Sequence, residues 1–387
     1  MANSQTTCAV RAGIDSDHQH NAVVPPLYLS SNYRFHAPDA PARYDYSRSG
    51  NPTRDLLGKA IAELEGGHDA VITASGMGAV TVAVQGLGPD DLLVVPHDCY
   101  GGSWRLFNAL ANRGQFRLLS IDQGDATALA EALAQRPKLV WIETPSNPLL
   151  RVVDVQAICE QAHAVGAKVL VDNTFLSPLG QRPLALGADW VLHSTTKYLN
   201  GHSDVVGGAL VASTAEDAEQ HAWWANCLGL TGAPFDSFLT LRGLRTLSAR
   251  YQVHEANAQE LVDWLVEQPG VRTVHYPGLP SHPGHELARR QQQSFGAMFS
   301  VELDTTAEGL RHFLAQLKYF SLAESLGGVE SLVAVPATMT HAAMSAEARA
   351  RAGISDGLLR FSVGIEDVAD LIEDLRSAWH CLEARDA

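Results

Sequence analysis

Short apolar runs alternate with stretches of helical spacing through the first half of this 387-residue chain. Seven such runs lie between about residue 69 and residue 212: Ala70-Val-Ile-Thr, Leu92-Leu-Val-Val, Arg117-Leu-Leu-Ser-Ile, Leu139-Val-Trp-Ile, Val169-Leu-Val, Trp190-Val-Leu and Ala209-Leu-Val-Ala. Their length and content predict strands. Helical spacing over 128–134 and 155–165 falls between them, and strand alternating with helix predicts an α/β fold with a mostly parallel, doubly wound sheet. After about residue 240 the order changes to a long helical stretch over 244–266, a strand over 296–303 and a helix over 307–317. A further strand over 358–364 and an amphipathic helix over 367–382 close the chain, which predicts a smaller C-terminal α+β domain. The first fifty residues are rich in Pro, Asn, Ser and Tyr and show no sustained period, so they read as an extended arm suited to packing on another subunit. The expected division is therefore an arm over 1–54, a ligand-binding α/β domain over 55–243 and the α+β domain over 244–387.

Composition narrows the function more than the fold. An apolar content of 46% and a length of 387 residues allow a large core. The formal charge of −15 argues against nucleic acid and anionic membranes, which are recognised through basic patches. No basic region followed by an apolar stretch opens the chain, and no run of eighteen apolar residues occurs, so a cytoplasmic location is expected. Five cysteines, at positions 8, 99, 159, 227 and 381, are an odd number without Cys-x-x-Cys spacing, against a disulfide framework or a zinc ribbon. The pairs His18/His20 and His282/His285 lie in loop-like sequence without a third ligand at zinc-finger spacing, so no metal is expected.

The informative chemistry lies in His193-Ser-Thr-Thr-Lys-Tyr-Leu-Asn-Gly-His-Ser-Asp204. Lys197 there follows an apolar run and sits among small hydroxyl residues, with Gly201, Gly207 and Gly208 close behind. A lysine that carries pyridoxal 5'-phosphate needs such surroundings: room for a ring, and donors for a phosphate. Upstream, Lys168-Val-Leu-Val-Asp172 is an apolar strand ending in a carboxylate, where open α/β sheets place ligands. A desolvated carboxylate there favours a protonated ring nitrogen. Ala74-Ser-Gly-Met-Gly78 follows the first strand and opens a helix; it reads either as a plain tight turn or as a phosphate cradle aided by Ser194 and Thr196. Tyr100, just after the second strand, is either a packing residue or a ring-stacking one that also moves protons. Arg360, inside a strand, is either salt-bridged or a clamp for an amino acid carboxylate. No Gly-x-Ser-x-Gly elbow occurs.

With these residues stand Val24-Pro-Pro, Asp45-Tyr-Ser-Arg-Ser-Gly-Asn-Pro-Thr-Arg54, Pro96-His-Asp-Cys-Tyr-Gly-Gly102, Pro145-Ser-Asn-Pro148, Val171-Asp-Asn-Thr-Phe175, Leu322-Ala-Glu-Ser-Leu-Gly-Gly-Val-Glu-Ser331 and Met339-Thr-His341. Through them the chain from about residue 8 to residue 380 resembles the Cys/Met-metabolism family of pyridoxal phosphate enzymes. The resemblance implies the aspartate aminotransferase type of fold (fold type I), with Lys197 as the cofactor-bearing lysine, Asp172 as partner of the ring nitrogen and Tyr100 stacked on the ring. It implies that Gly76, Met77, Ser194 and Thr196 hold the phosphate, and that Tyr46 and Arg48 reach the phosphate of a neighbouring subunit in a homotetramer. Asn147, Ser325 and Arg360 match positions around the substrate carboxylate or the cofactor oxygen, and Glu324 lies beside them.

The implied chemistry is γ-replacement of O-succinyl-L-homoserine by cysteine. Cleavage of cystathionine, or sulfhydrylation of an acylhomoserine, are the alternatives. Many succinyl-ester users in the family have a second arginine after the position matching Arg48, where this chain has Ser49; Arg105 remains as a candidate grip for a distal carboxylate. Ala222-Trp-Trp-Ala-Asn226 and Ser146-Asn-Pro-Leu-Leu-Arg-Val-Val-Asp154 resemble the γ-replacing branch.

Overall fold

All seven apolar runs form strands in the computed structural model, which describes residues 4–40, 42–342, 344 and 346–383. They are β1 (Asp69–Thr73), β2 (Leu92–Pro96), β3 (Arg117–Ile121), β4 (Leu139–Glu143), β5 (Lys168–Asp172), β6 (Trp190–Ser194) and β7 (Gly208–Ala212). Their order in one sheet is β1-β7-β6-β5-β4-β2-β3, with β7 alone running against the others. The runs are continuous because both faces are covered. Leu93, Val95, Trp141 and Leu170 face one apolar cluster, while Leu92, Val94, Val140, Ile142 and Val169 face the other.

The helices that matter to the site are α1 (Gln5–Arg11), α2 (Pro52–Glu65), α3 (Gly76–Ala83) and α4 (Gly101–Asn112). Two of them cover the first face, through Val80 of α3 and Phe107 of α4. A second sheet contains β8 (Val271–His275), β9 (Met298–Leu303), β10 (Ser321–Leu322), β11 (Leu332–Ala334) and β12 (Leu358–Ser362), in the order β10-β11-β12-β9-β8. A third apolar cluster joins the sheets: Val191 of β6, Ile61 of α2, Tyr251 and the stacked pair Phe299 and Phe361 belong to it.

The helix expected over 244–266 is Leu247–Leu265, preceded by a helix the sequence reading missed, Pro234–Leu244. The amide and the hydroxyl of Thr246 both bond to the Gly243 carbonyl, closing a tight turn in place of the continuing helical bond. One expectation needs correction: the arm is not extended from its start. The seven residues of α1, too few to show a sustained period, are capped by the Ser4 hydroxyl and docked by the Gln5 side chain, which donates to the carbonyls of Leu64 and Pro178. Beyond α1 the segment from His18 to Gly50 contains turns and isolated bridges, and it exposes Val23, Leu29 and Phe35.

Candidate active site

Five segments leave the large sheet at the same edge, the carboxyl ends of β1, β2, β4, β5 and β6, and line a cavity of about 380 Å³. That edge of an open α/β sheet is where ligands bind. After β1 the chain enters α3, whose Ser75 cap accepts from the Gly78 amide at 3.0 Å; the first amides of a helix have no intrahelical partners, and here they belong to residues that line the cavity. A Cβ on Gly76 would sit 3.0 Å from Cβ of Ser194, so a side chain there would press Ser194 aside. Gly76, Met77, Ser194 and Thr196 all line the cavity. The Thr196 hydroxyl is already engaged, accepting from the Gly207 amide at 3.0 Å and donating to its carbonyl at a longer 3.3 Å.

Lys197 follows β6, and its Nζ donates to Oγ of Ser325 at 2.7 Å. Burial, reinforced by the Arg360 guanidinium, pushes the amine down to about 8 against the pull of Glu324. Ser325 is held in left-handed backbone (φ 87°), a conformation costly for a residue with a Cβ, and its carbonyl accepts from Arg360 at 2.8 Å. Arg360 lies in the middle of β12, and its other donor reaches Oδ1 of Asn147 at 3.0 Å. Both partners are neutral, so the salt bridge weighed for this arginine is not what holds it. Burial lowers Arg360 only to about 10, so it stays charged at neutral pH. Arg105 and Glu324 complete this side of the cavity.

Asp172 ends β5, is half-buried in the cavity wall and accepts from the Thr174 amide at 3.0 Å. Desolvation raises its carboxyl above the usual range, with His193 pulling the other way. Tyr100 is the N-cap residue of α4 and lines the same cavity. Burial and the Glu324 charge raise its phenol more than Arg105 and Arg360 lower it, so it stays protonated at neutral pH. One charged lining residue escaped the sequence reading: Glu143, the last residue of β4 and the register partner of Asp172. The signal was an apolar run ending in an acid, the same pattern that marked Asp172.

Tyr46, Arg48 and Ser49 lie outside this cavity. Tyr46 is exposed, and Arg48 donates to the carbonyl and Oδ1 of Asn226 at 2.9 and 2.7 Å. Ser49 instead borders a separate cavity of about 320 Å³ with Arg43, Arg54 and Lys59. Cys8, Cys99, Cys159 and Cys227 are free; the side chain of Cys381 lies outside the described residues. No group of three or more metal-ligating side chains occurs among the described residues, and no described helix is long and apolar enough to cross a membrane.

The donor set fits pyridoxal phosphate on structural grounds. A half-buried carboxylate that accepts from a backbone amide rather than from a cation suits a cationic ring nitrogen, a helix N-terminus packed closely on Ser194 through Gly76 suits a phosphate, and an amine lowered to about 8 is available to bond the aldehyde. A model of the Cys/Met metabolism PLP-dependent enzymes matches residues 6–380, and the chain belongs to that family. Among its relatives is the cystathionine gamma-synthase of Escherichia coli (strain K12), 58% identical over 98% of both chains. The cystathionine beta-lyase of Coxiella burnetii is 45% identical over 96% of this chain and 97% of its own. A crystal structure of cystathionine gamma synthase from Xanthomonas oryzae pv. oryzae in complex with cystathionine superposes with a TM-score of 0.98, at 61% identity over 99% of this chain and all of that one.

Proposed function

We propose that this chain catalyses γ-replacement of O-succinyl-L-homoserine by L-cysteine, giving L-cystathionine and succinate, the reaction of a cystathionine γ-synthase. The Cγ–O bond of the ester breaks and a Cγ–S bond forms, the thiol proton leaving with succinate or solvent. One observation carries the reading: Lys197, Asp172, Tyr100 and Arg360 line a single cavity, in a chain 58% identical to a named γ-synthase over nearly its full length. Bound pyridoxal 5'-phosphate supplies an electron sink for carbanionic charge on an amino acid.

The residues divide the remaining work. With the cofactor bound, Asp172 would set a negative charge beside the ring nitrogen and Tyr100 would cover the ring. Gly76, Met77 and Ser194 would hold the phosphate, and Thr196 would join them by giving up its longer bond to Gly207. Arg360, positioned by Asn147 and the Ser325 carbonyl, clamps the substrate α-carboxylate. Lys197, whose amine is near half-neutral around pH 8, accepts the α-proton and returns protons along the side chain, while the Ser325 hydroxyl aims it. Arg105 is the cation placed to meet a distal carboxylate. Tyr46 and Arg48 serve the phosphate of a second subunit in a homotetramer of cytoplasmic location.

Product analysis tests the reading. Purified holoprotein given O-succinyl-L-homoserine should form cystathionine only when cysteine is present, with little 2-oxobutanoate from cystathionine alone. Efficient cleavage of cystathionine, with the ester ignored, would replace this reading by the γ-lyase one.

A further inference from the structure

The chemistry above makes no use of Glu143, yet its placement is specific. β4 and β5 are parallel neighbours in which Glu143 pairs with Asp172, so the two Cα atoms lie about 5 Å apart and both side chains leave the same face of the sheet. Glu143 is buried and Asp172 half-buried beside it, where two like charges side by side are costly. The partners of Glu143 are all neutral. Its Oε1 accepts from Sγ of Cys99 at 3.2 Å and from the indole nitrogen of Trp141 at 3.1 Å, and its Oε2 accepts from the backbone amide of Tyr100 at 2.8 Å.

All three partners donate, which by itself favours a carboxylate, so these bonds place the side chain and it is the surroundings that oppose its charge. The charged groups facing Glu143 decide its state: Asp172 and Asp98 both oppose a second negative charge, and Asp98 is itself held by Arg151 at 2.9 Å. Cys99 is kept a thiol by burial, so it donates and does not compete for the proton. Burial beside Asp172 pushes Glu143 up to about 8.

We propose that Glu143 is a positioning residue: as a neutral acid it pins the backbone of Tyr100 and leaves Asp172 the sole negative charge of the pair facing the cofactor ring. The consequence for Tyr100 is direct, since the bonded amide belongs to the residue whose ring covers the cofactor and starts α4. The proposal rests on the assignment of Asp172 and Tyr100 to the ring, and its test separates the two.

In cofactor-free protein labelled at glutamate, infrared difference spectra should contain a carboxylic acid carbonyl band at pH 6.5 that bleaches with a midpoint near 8 and is absent from Glu143→Gln. Its absence from the parent protein would mean an ionised Glu143 and would overturn the proposal whatever the enzyme does. In holoprotein, Glu143→Ala should lower kcat about 10- to 100-fold through misplacement of Tyr100. Glu143→Gln, neutral and able to accept from the same amide, should recover at least about tenfold of a hundredfold loss. In a Tyr100→Ala background, Glu143→Ala should cost less than about twofold, because its effect acts through the ring. Equal losses for Gln and Ala, or additive losses in the double variant, would overturn it. Cofactor stoichiometry and the visible circular dichroism of the bound cofactor accompany each variant: they exclude misfolding, and they report ring placement even if the ester is not turned over.

Discussion

Removing the Lys197 amine should stabilise the cofactor-free protein at neutral pH. Folding takes this amine from 10.5 to about 8, chiefly by burying it, so the folded protein gives up the proton first. Between those two values the unfolded chain holds more protons than the folded one, and folding becomes more favourable as pH rises. Below pH 8 the full penalty of a buried ammonium applies, which for this fall is about 3 kcal/mol. Lys197→Met keeps the apolar stem and removes the charge, at the expense of one hydrogen bond to Ser325, worth about 1 kcal/mol at every pH. The Lys197→Met variant should therefore be about 2 kcal/mol more stable than the parent at pH 7 and about 1 kcal/mol less stable near pH 10.5. The assay is the difference in denaturant midpoint between the two cofactor-free proteins, at matched concentration, across that range; taking a difference cancels the other titrating groups. A variant less stable than the parent at pH 7, or a difference that does not change with pH, would refute the reasoning.

Two further outcomes follow from where the charges sit. Arg360→Lys keeps the charge but loses the fork that spans Asn147 and Ser325, so kcat/KM for the ester should fall about 10- to 100-fold; steady-state kinetics with unchanged KM and kcat would remove Arg360 from the carboxylate clamp. Tyr46 and Arg48 lie outside their own chain's cavity, so co-expressed Lys197→Ala and Arg48→Ala chains should form mixed oligomers with activity that neither has alone. Failure of mixed oligomers to regain activity would mean that sites are not shared.

The central strands of the large sheet were legible because burial on both faces leaves runs such as Leu92-Leu-Val-Val almost wholly apolar. β8 was not, since Val-Arg-Thr-Val-His is half-exposed and carries no such run, and β10 has only two residues. Nothing in the composition of Gly208–Ala212 marks it as the reversed strand, because direction is set by the connection and not by the run. The site residues divide in a similar way. Lys197, Asp172 and Arg360 stand out as charges at positions whose neighbours are apolar or small, which is a local contrast. Asn147, Ser325 and Arg105 have no such contrast and were reached only through resemblance. Glu143 had the contrast, but its meaning depends on β4 lying beside β5 in register, and that pairing joins residues distant in sequence.

The ionic logic of the cavity explains how a chain of net charge −15 can receive anionic ligands. Arg360 is buried against an amide oxygen and a backbone carbonyl, Lys197 against a hydroxyl, and Asp172 against a backbone amide. Each charge is therefore hydrogen-bonded to neutral dipoles, and Glu324 acts on Lys197 and Arg360 without forming a salt bridge to either. An internal salt bridge between Arg360 and Glu324 would be electrostatically easier, but it would have to be broken whenever a carboxylate arrived, and specificity would be lost with it. Keeping the charges on neutral partners costs stability, as the lowered lysine shows, and leaves each one free to be neutralised only by a ligand of opposite sign. Ligand binding should then stabilise this protein by more than its contacts alone, because it removes a desolvation penalty that the folded chain already bears.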